Sequence, residues 1–442
     1  MEPVSQKAIE ALIVALPETA GSENRSRWPD HGLVGTTNGE IMTTRILALV
    51  AVACSFGGTA ASATNLKPFD PVALRKTVEA TAKGLLLPGT MVLLRTPQGE
   101  FVFGYGATEL GGSTPPRADT HFRIASNTKT MTAAVIVLLV QEGKLRFDDP
   151  VSKYVPGVPN GDNITISDLL KMRSGLFNYT SAPELAESLD RDPARAWTTD
   201  ELLAIAFKHP PVFAPGAKYD YCNTNYALLG LVAEKLEGAP LARIFQDRLF
   251  GPLGMQNTLL PTSTSNNIPA PYAHGYLYGS SSYALADAPY PADLIAAARA
   301  GALKPNDDTG QNPSYASAAG GVISTANDLA NWMRALLGGK ILDADYQRQW
   351  LDSPEPEDSN KPLGQKYGYG ITLMTFGPNS LYFHGGEMPG YNSFMGYDPV
   401  NDVTLIVWTN LTISLDGKPT ANSIMLKMLD RIYTVSPRRQ SQ

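Results

Sequence analysis

Strand-forming segments crowd the two ends of this 442-residue chain and are nearly absent from its middle. Near one end, "TMVLLRTPQGEFVFGYG" reads as two strands around a Pro-Gln-Gly turn. Near the other come "YGYGITLMTF", "SLYFHGG", "YNSFMGYDP" and "VTLIVWTN", separated by Gly, Pro, Asn and Asp. From about 145 to 260 helical signals dominate. Thr165-x-x-Asp168 and Thr198-x-x-Glu201 have capping-box spacing ahead of "LLKM" and "LLAIAF", and Thr325-x-x-Asp328 is expected to cap "LANWMRALL". Helical spacing also marks "PFDPVALRKTVEATAKGLL" and "TANSIMLKMLDRIY". A hairpin at one end cannot stand alone in water, so it must join the strands at the other. The fold expected is α/β of the α+β kind: an antiparallel sheet formed from both chain ends, flanked by helices, with an inserted mostly helical subdomain. Residues 64–442 would form one domain, with its sheet part at about 68–125 and 318–435 and its helical insert at about 130–317. Residues 261–317, rich in Ser, Asn, Pro, Ala, Tyr and Gly, show weak periodicity and read as a functional loop region or an insert.

Composition narrows the function classes. Apolar residues make up 43% and charged ones 18%, as in a globular chain with a sizeable core. The net charge of −6 and the lack of a basic run argue against a nucleic-acid partner. Two cysteines, Cys54 and Cys222, and five histidines show no metal-ligand spacing, so no metal and no cofactor is expected. "MTTRILALVAVACSFGGTAASA", residues 42–63, has a short positive start, an apolar stretch and an Ala61-Ser62-Ala63 cleavage pattern. It reads as a secretory signal peptide, too short to span a bilayer, leaving no transmembrane helix in the mature chain. Met42 would then be the true start and residues 1–41 an extension of doubtful relevance. The product would be secreted or periplasmic; lipid attachment through Cys54 is the less favoured alternative.

The chemistry centres on "FRIASNTKTMTAAVIVLLVQEGKL", which holds Ser126 and, three residues on, Lys129. On a helix such residues share a face, with Cβ atoms about 5–6 Å apart. A serine hydroxyl becomes a nucleophile when a neighbour takes its proton, and a lysine can do so once burial lowers its pKa. The apolar run "AAVIVLLV" would supply that burial, and the helix N-terminus adds positive potential that favours a developing oxyanion. The competing reading is a plain N-cap serine. No G-x-S-x-G elbow occurs, which removes the main support for an α/β-hydrolase.

Two further motifs bear on the choice. "APGAKYDYCNTNYALLG" carries Tyr221-Cys222-Asn223 just before a helical segment, and "YFHGGEMPGYNS" carries His384-Gly385-Gly386 at a strand end. With Ser126-x-x-Lys129, these resemble the serine penicillin-recognising hydrolases. The likeness is to the branch of class C β-lactamases, serine DD-carboxypeptidases, D-aminopeptidases and related carboxylesterases, and most of all to the serine D-Ala-D-Ala carboxypeptidases. It covers about residues 70–435 and includes "LLKMRSGLFNYT", "LFGPLGMQNT" and "SAAGGVISTANDLANWM". The resemblance implies that Ser126 forms an acyl-enzyme and that Lys129 assists its deprotonation. It implies that Tyr221 passes the proton to the leaving group and helps activate water, its pKa lowered by nearby cations such as Lys129. Asn223 would bind the substrate's amide. The backbone N–H groups of Ser126 and Glu387 would form the oxyanion hole, with Gly385 and Gly386 letting a substrate backbone lie close. His384 stands where much of the family has lysine, and would carry a weaker positive charge near pH 7.

The sequence departs from that pattern at Glu387, where the closest carboxypeptidases have threonine, and no arginine appears in "YGITLMTF". An acidic side chain repels a substrate carboxylate and suits a substrate ammonium. Tyr315, just before "ASAAGG", falls where relatives place an aromatic pocket wall; an ordinary core tyrosine is the alternative. The expected substrate is a small molecule or peptide with an amide or ester carbonyl, cell-wall peptide included, and β-lactams would be covalent ligands. The first reading is a DD-carboxypeptidase-like enzyme on D-amino-acid peptides. The alternatives are a carboxylesterase or D-amidase/D-aminopeptidase with weak β-lactamase activity, and a penicillin-binding sensor that acylates without turnover.

Overall fold

A computed structural model describes residues 65–286, 288–435 and 437. The expected signal segment 42–63 and the stretch before it lie outside the described residues. Eight strands form one antiparallel sheet: β1 (Gly89–Thr96), β2 (Gly99–Gly106), β3 (Glu355–Pro356), β4 (Lys366–Tyr367), β5 (Thr372–Phe376), β6 (Asn379–Met388), β7 (Tyr391–Asp398) and β8 (Val403–Thr409). Their spatial order is β2-β1-β8-β7-β6-β5-β4-β3, so the N-terminal hairpin docks on the last strand. Leu93 faces Ile406 across the β1–β8 seam, and Leu94 faces Phe101 within the hairpin.

The central strand β8 shows why alternation is hard to see in "VTLIVWTN". All seven of its residues are buried, because both faces of the sheet are covered. Val403, Leu405 and Val407 pack with Leu74, Val78, Met425, Met428 and Leu429. These come from helices α1 (Pro71–Gly84) and α5 (Thr420–Ile432). Ile406 and Trp408 belong to the core on the opposite face, where the Trp408 ring stacks on Phe122 with centroids 4.9 Å apart. Full burial of one such aliphatic side chain is worth roughly 1.5–3 kcal/mol.

That second face carries the helices that matter for function: α2 (Thr128–Gln141), α3 (Asn223–Glu237) and α4 (Ala326–Leu337). Every residue of α2 from Thr128 to Val137 is buried, as a helix without a polar face must be. Gly238 ends α3 at φ +63°, a left-handed cap that glycine adopts without strain. The capping boxes at Thr165/Asp168 and Thr198/Glu201 form in full. At α4 the pattern is only half made. Thr325 accepts from the Asp328 N–H, but the Asp328 carboxylate turns away to accept from Asn257 N and Thr258 Oγ1.

Residues 261–317 are more regular than their composition suggests. They contain short helices at Ser282–Leu285 and Ala292–Arg299, and Tyr276–Leu277 pairs with Asn306–Asp307. Elements of two to eight residues are too short to show a period. Among the described residues no helix is long and apolar enough to cross a membrane.

Candidate active site

Ser126 sits in a 3-10 turn, Ala125–Asn127, one step ahead of α2, rather than in the helix itself. The turn is entered through Ala125 at φ +48°, a left-handed conformation that residues with a Cβ rarely adopt. The surroundings hold it there. Ile124 N donates to Val322 O at 3.0 Å, while Ile124 O accepts from Asn127 Nδ2 and Ser393 Oγ, each at 3.1 Å. Asn127 Nδ2 also donates to Ser393 Oγ at 2.8 Å. The turn is thereby pinned to β7.

Gly386 makes this approach possible. A Cβ there would stand 2.2 Å from Ile124 O and 2.4 Å from Ser393 Oγ. Gly385 has no such neighbour; its nearest atoms would lie 3.8 and 3.9 Å away. So Gly386 admits the close approach of the turn that carries Ser126. The strand edge nearby is open for a separate reason. β5 pairs with β6 only as far as Phe383↔Thr372, so among the described residues the strand from His384 to Met388 has a strand partner, β7, on one side only.

Lys129 lies one turn into α2 and is fully buried. Its Nζ is 2.9 Å from Ser126 Oγ, 2.7 Å from Asn223 Oδ1 and 2.7 Å from Ala319 O. None of these is a carboxylate. Burial therefore drives the amine well below its ordinary pKa, and Cys222 opposes only weakly. A neutral amine has two N–H groups and one lone pair. Asn223 Oδ1 and the Ala319 carbonyl can only accept, so they take both N–H groups. The lone pair is left for the hydroxyl proton of Ser126.

Tyr221 and Asn223 come from the extended segment that leads into α3. Tyr221 hydrogen-bonds Ser126, and its ring centroid lies 4.8 Å from Lys129 Nζ. The expected lowering of its pKa is not found. Desolvation pushes the phenol up, with the Ser126 bond opposing and Cys222 and Glu387 adding to the rise. Asn223 is held at both ends: Oδ1 by Lys129, and Nδ2 by donation to Thr180 Oγ1 at 2.9 Å. It orients the lysine first, and only its second amide proton remains for a substrate. Cys222 between them is a buried thiol pushed up to about 11, an inert filler.

His384 is buried between Tyr221 and Tyr367, with ring centroids 6.3 and 5.8 Å away. Burial, the largest influence, pushes its pKa down to about 3. The imidazole is thus neutral near pH 7, which corrects the expected weak positive charge. Glu387 Oε2 accepts from Asn392 Nδ2 at 3.0 Å, and the residue lines the same cleft as Ser126. Tyr315 is in the core and in the wall at once: it is buried, lines the cleft, and its carbonyl accepts from Tyr179 Oη at 2.7 Å. The cleft holds about 290 Å³ of space free of protein atoms, part of it open to solvent. Leu285, Tyr315 and Ala316 bring the 261–317 region to its wall, opposite Thr180 and Asn223.

The structure thus brings Ser126, Lys129, Tyr221, Asn223, His384, Gly386, Glu387 and Tyr315 to one place, with Gly385 on the same strand but without close neighbours. Residue types alone did not single out Thr180, Ala319, Ser393 or Tyr367. The first three lie inside the motif-bearing phrases "LLKMRSGLFNYT", "SAAGG" and "YNS", but nothing in the sequence says which of their atoms would face Lys129, Asn223 or Ile124. Among the described residues no cluster of metal-ligating side chains occurs.

The chain is similar to known proteins in sequence and fold. Protein Rv1367c of Mycobacterium tuberculosis is 29% identical over 342 residues, covering 68% of this chain and 80% of its own. A D-stereospecific amidohydrolase from Streptomyces sp. superposes with a TM-score of 0.69 at 28% identity, over 81% of this chain and 98% of its own. The D-amino acid amidase of Ochrobactrum anthropi SV3, solved with L-phenylalanine amide, gives 0.66 at 26% identity, with the same 81% and 98% coverage. The family model of the Beta-lactamase family matches residues 74–427, from α1 to the middle of α5, and the chain belongs to that family.

Proposed function

We propose that the protein is a serine hydrolase that opens an amide bond of a D-amino-acid substrate through an acyl-enzyme on Ser126. The observation that carries this reading is the buried Lys129 amine, 2.9 Å from Ser126 Oγ, with two carbonyl acceptors at 2.7 Å and no carboxylate among these contacts. In the proposed sequence Lys129 Nζ takes the Ser126 proton as Oγ attacks the carbonyl. Backbone N–H groups of Ser126 and Glu387 receive the oxyanion. As the tetrahedral adduct collapses, Tyr221 Oη gives its proton to the leaving nitrogen and regains one from the Lys129 ammonium. Because a buried phenolate is costly, the two transfers are coupled. Water then enters, loses a proton to the same pair, and releases the acid.

Glu387 in the cleft favours a substrate with a free ammonium over one with a free carboxylate. The amidases among the structural neighbours support that choice. A D-aminoacyl amide or D-amino peptide is therefore the first substrate class, and a DD-carboxypeptidase activity on cell-wall-like peptides the second. The Met42–Ala63 segment supports export as part of the same proposal.

The test is a substrate panel with an intact-mass assay. A fluorophosphonate is expected to add once to wild type and not at all to Ser126→Ala. D-phenylalanine amide is expected to be hydrolysed, and its N-acetylated form at least about tenfold more slowly, a difference lost in Glu387→Gln. No adduct on Ser126 would defeat the hydrolase reading. A preference for N-acyl-D-Ala-D-Ala would move the assignment to the carboxypeptidase.

A further inference from the structure

His384 has two ring nitrogens in fixed surroundings. Nδ1 faces the carbonyl of Gly385 at 2.5 Å, an atom that can only accept. The proton of the neutral ring therefore sits on Nδ1, and Nε2 presents a lone pair. Opposite Nε2, at 3.1 Å, stands the hydroxyl of Tyr367. Tyr367 is fully buried on the short strand β4, and its phenol is held protonated by that burial. The Tyr226 hydroxyl nearby gives its own proton to Leu170 O at 3.0 Å, so its oxygen is the one other acceptor described within reach of the Tyr367 proton. The Tyr367 ring meets Tyr221 edge-on, with centroids 6.3 Å apart. The groups facing His384 are thus Tyr367 from β4, Tyr221 from the entry to α3, and the Lys129 amine from α2.

We propose that Tyr367 is a positioning residue: by donating to His384 Nε2 it holds the imidazole as its Nδ1–H tautomer and fixes the ring against Tyr221. The consequence is for the neighbours. A ring free to turn could place an N–H toward the Tyr221 and Lys129 pair, where it would compete for the hydroxyl and amine lone pairs that move the proton. With Tyr367 on one side and Gly385 O on the other, both ring nitrogens are occupied and the Ser126 network is left undisturbed. β4 is two residues long at the outer part of the sheet, and this contact gives it a part in the chemistry.

The test separates orientation from folding. In uniformly ¹⁵N-labelled protein, long-range imidazole spectra report the tautomer of each histidine, and His384→Gln identifies the His384 signals. Wild type is expected to show His384 as a single Nδ1–H form. An Nε2–H form would overturn the proposal by itself, whatever happens to any variant. Tyr367→Phe keeps the buried ring. It is expected to broaden or mix the His384 tautomer and to lower the maximal rate of Ser126 acylation by a fluorophosphonate about tenfold, with half-saturation within twofold. An unchanged acylation rate, or a change confined to half-saturation, would refute the positioning role. The tautomer measurement needs no substrate, so it stands even if the proposed amidase activity fails.

Discussion

The Lys129 amine stands 2.9 Å from the Ser126 hydroxyl, with its other two contacts, at 2.7 Å each, made to carbonyl oxygens. A charged ammonium there would lie buried with no carboxylate among these contacts, at a cost of several kcal/mol. The neutral base is the form that fits. Lys129→Met is therefore expected to slow Ser126 acylation by about 10²–10⁴-fold, the usual share of a general base. Lys129→Arg should not rescue it, because guanidinium stays protonated. Time courses of adduct mass would decide; an Arg variant within tenfold of wild type would refute the general-base role. The pH dependence follows in sign. Acylation needs the neutral amine, so its rate should rise with pH through a value well below the ordinary 10.5 of lysine and then level off.

His384 predicts an acid-sensitive fold. Its pKa is pushed down to about 3, from an ordinary 6.5. Between those values the unfolded chain binds a proton that the folded chain does not. Stability should therefore fall as pH drops from about 6.5 toward 3, by at most about 1.4 kcal/mol per pH unit from this group. Urea melts of wild type and His384→Gln at pH 7 and 4.5 would show it, with the shallower loss expected in the variant. Equal losses would mean that His384 is not buried neutral.

The two adjacent glycines should behave differently. Gly386→Ala sets a methyl group 2.2 Å from Ile124 O, against backbone that is pinned by Asn127 and Ser393. It is expected to destabilise by about 1–3 kcal/mol and to displace the nucleophile's turn. Gly385→Ala meets nothing closer than 3.8 Å and should change stability by less than about 1 kcal/mol. Denaturant midpoints for the pair, read with the fluorophosphonate adduct for the first, test this directly.

Thr180 anchors the residue that anchors Lys129. Thr180→Val removes the acceptor for Asn223 Nδ2 and leaves the amide free to rotate away from the lysine. Loss of one such hydrogen bond is worth about 1 kcal/mol, so acylation should slow about fivefold with half-saturation little changed. An effect confined to half-saturation would place Thr180 on the substrate instead.

Much of the fold was legible because its signals are local. The hairpin at Gly89–Gly106 shows itself by two strand-forming runs around a Pro-Gln-Gly turn, and two helix starts show themselves by complete capping boxes. The short pieces between 261 and 317 were not legible, since elements of a few residues leave no period. The Thr325 cap was legible too, but the destination of the Asp328 carboxylate was not: it goes to Asn257 and Thr258, residues about seventy positions away.

The same division holds at the site. Ser126, Lys129, Tyr221, Asn223 and His384 were singled out by three short motifs and the resemblance they carry, and the structure gathers them at one place. Their protonation states were not readable. Whether Lys129 is neutral, whether Tyr221 is raised or lowered, and whether His384 carries charge depend on desolvation and on carbonyls supplied by distant segments, such as Ala319 and Gly385. The sequence by itself determined which groups could react. Only the tertiary structure decided their charges, because burial is a property of everything packed around a residue and not of the residue itself.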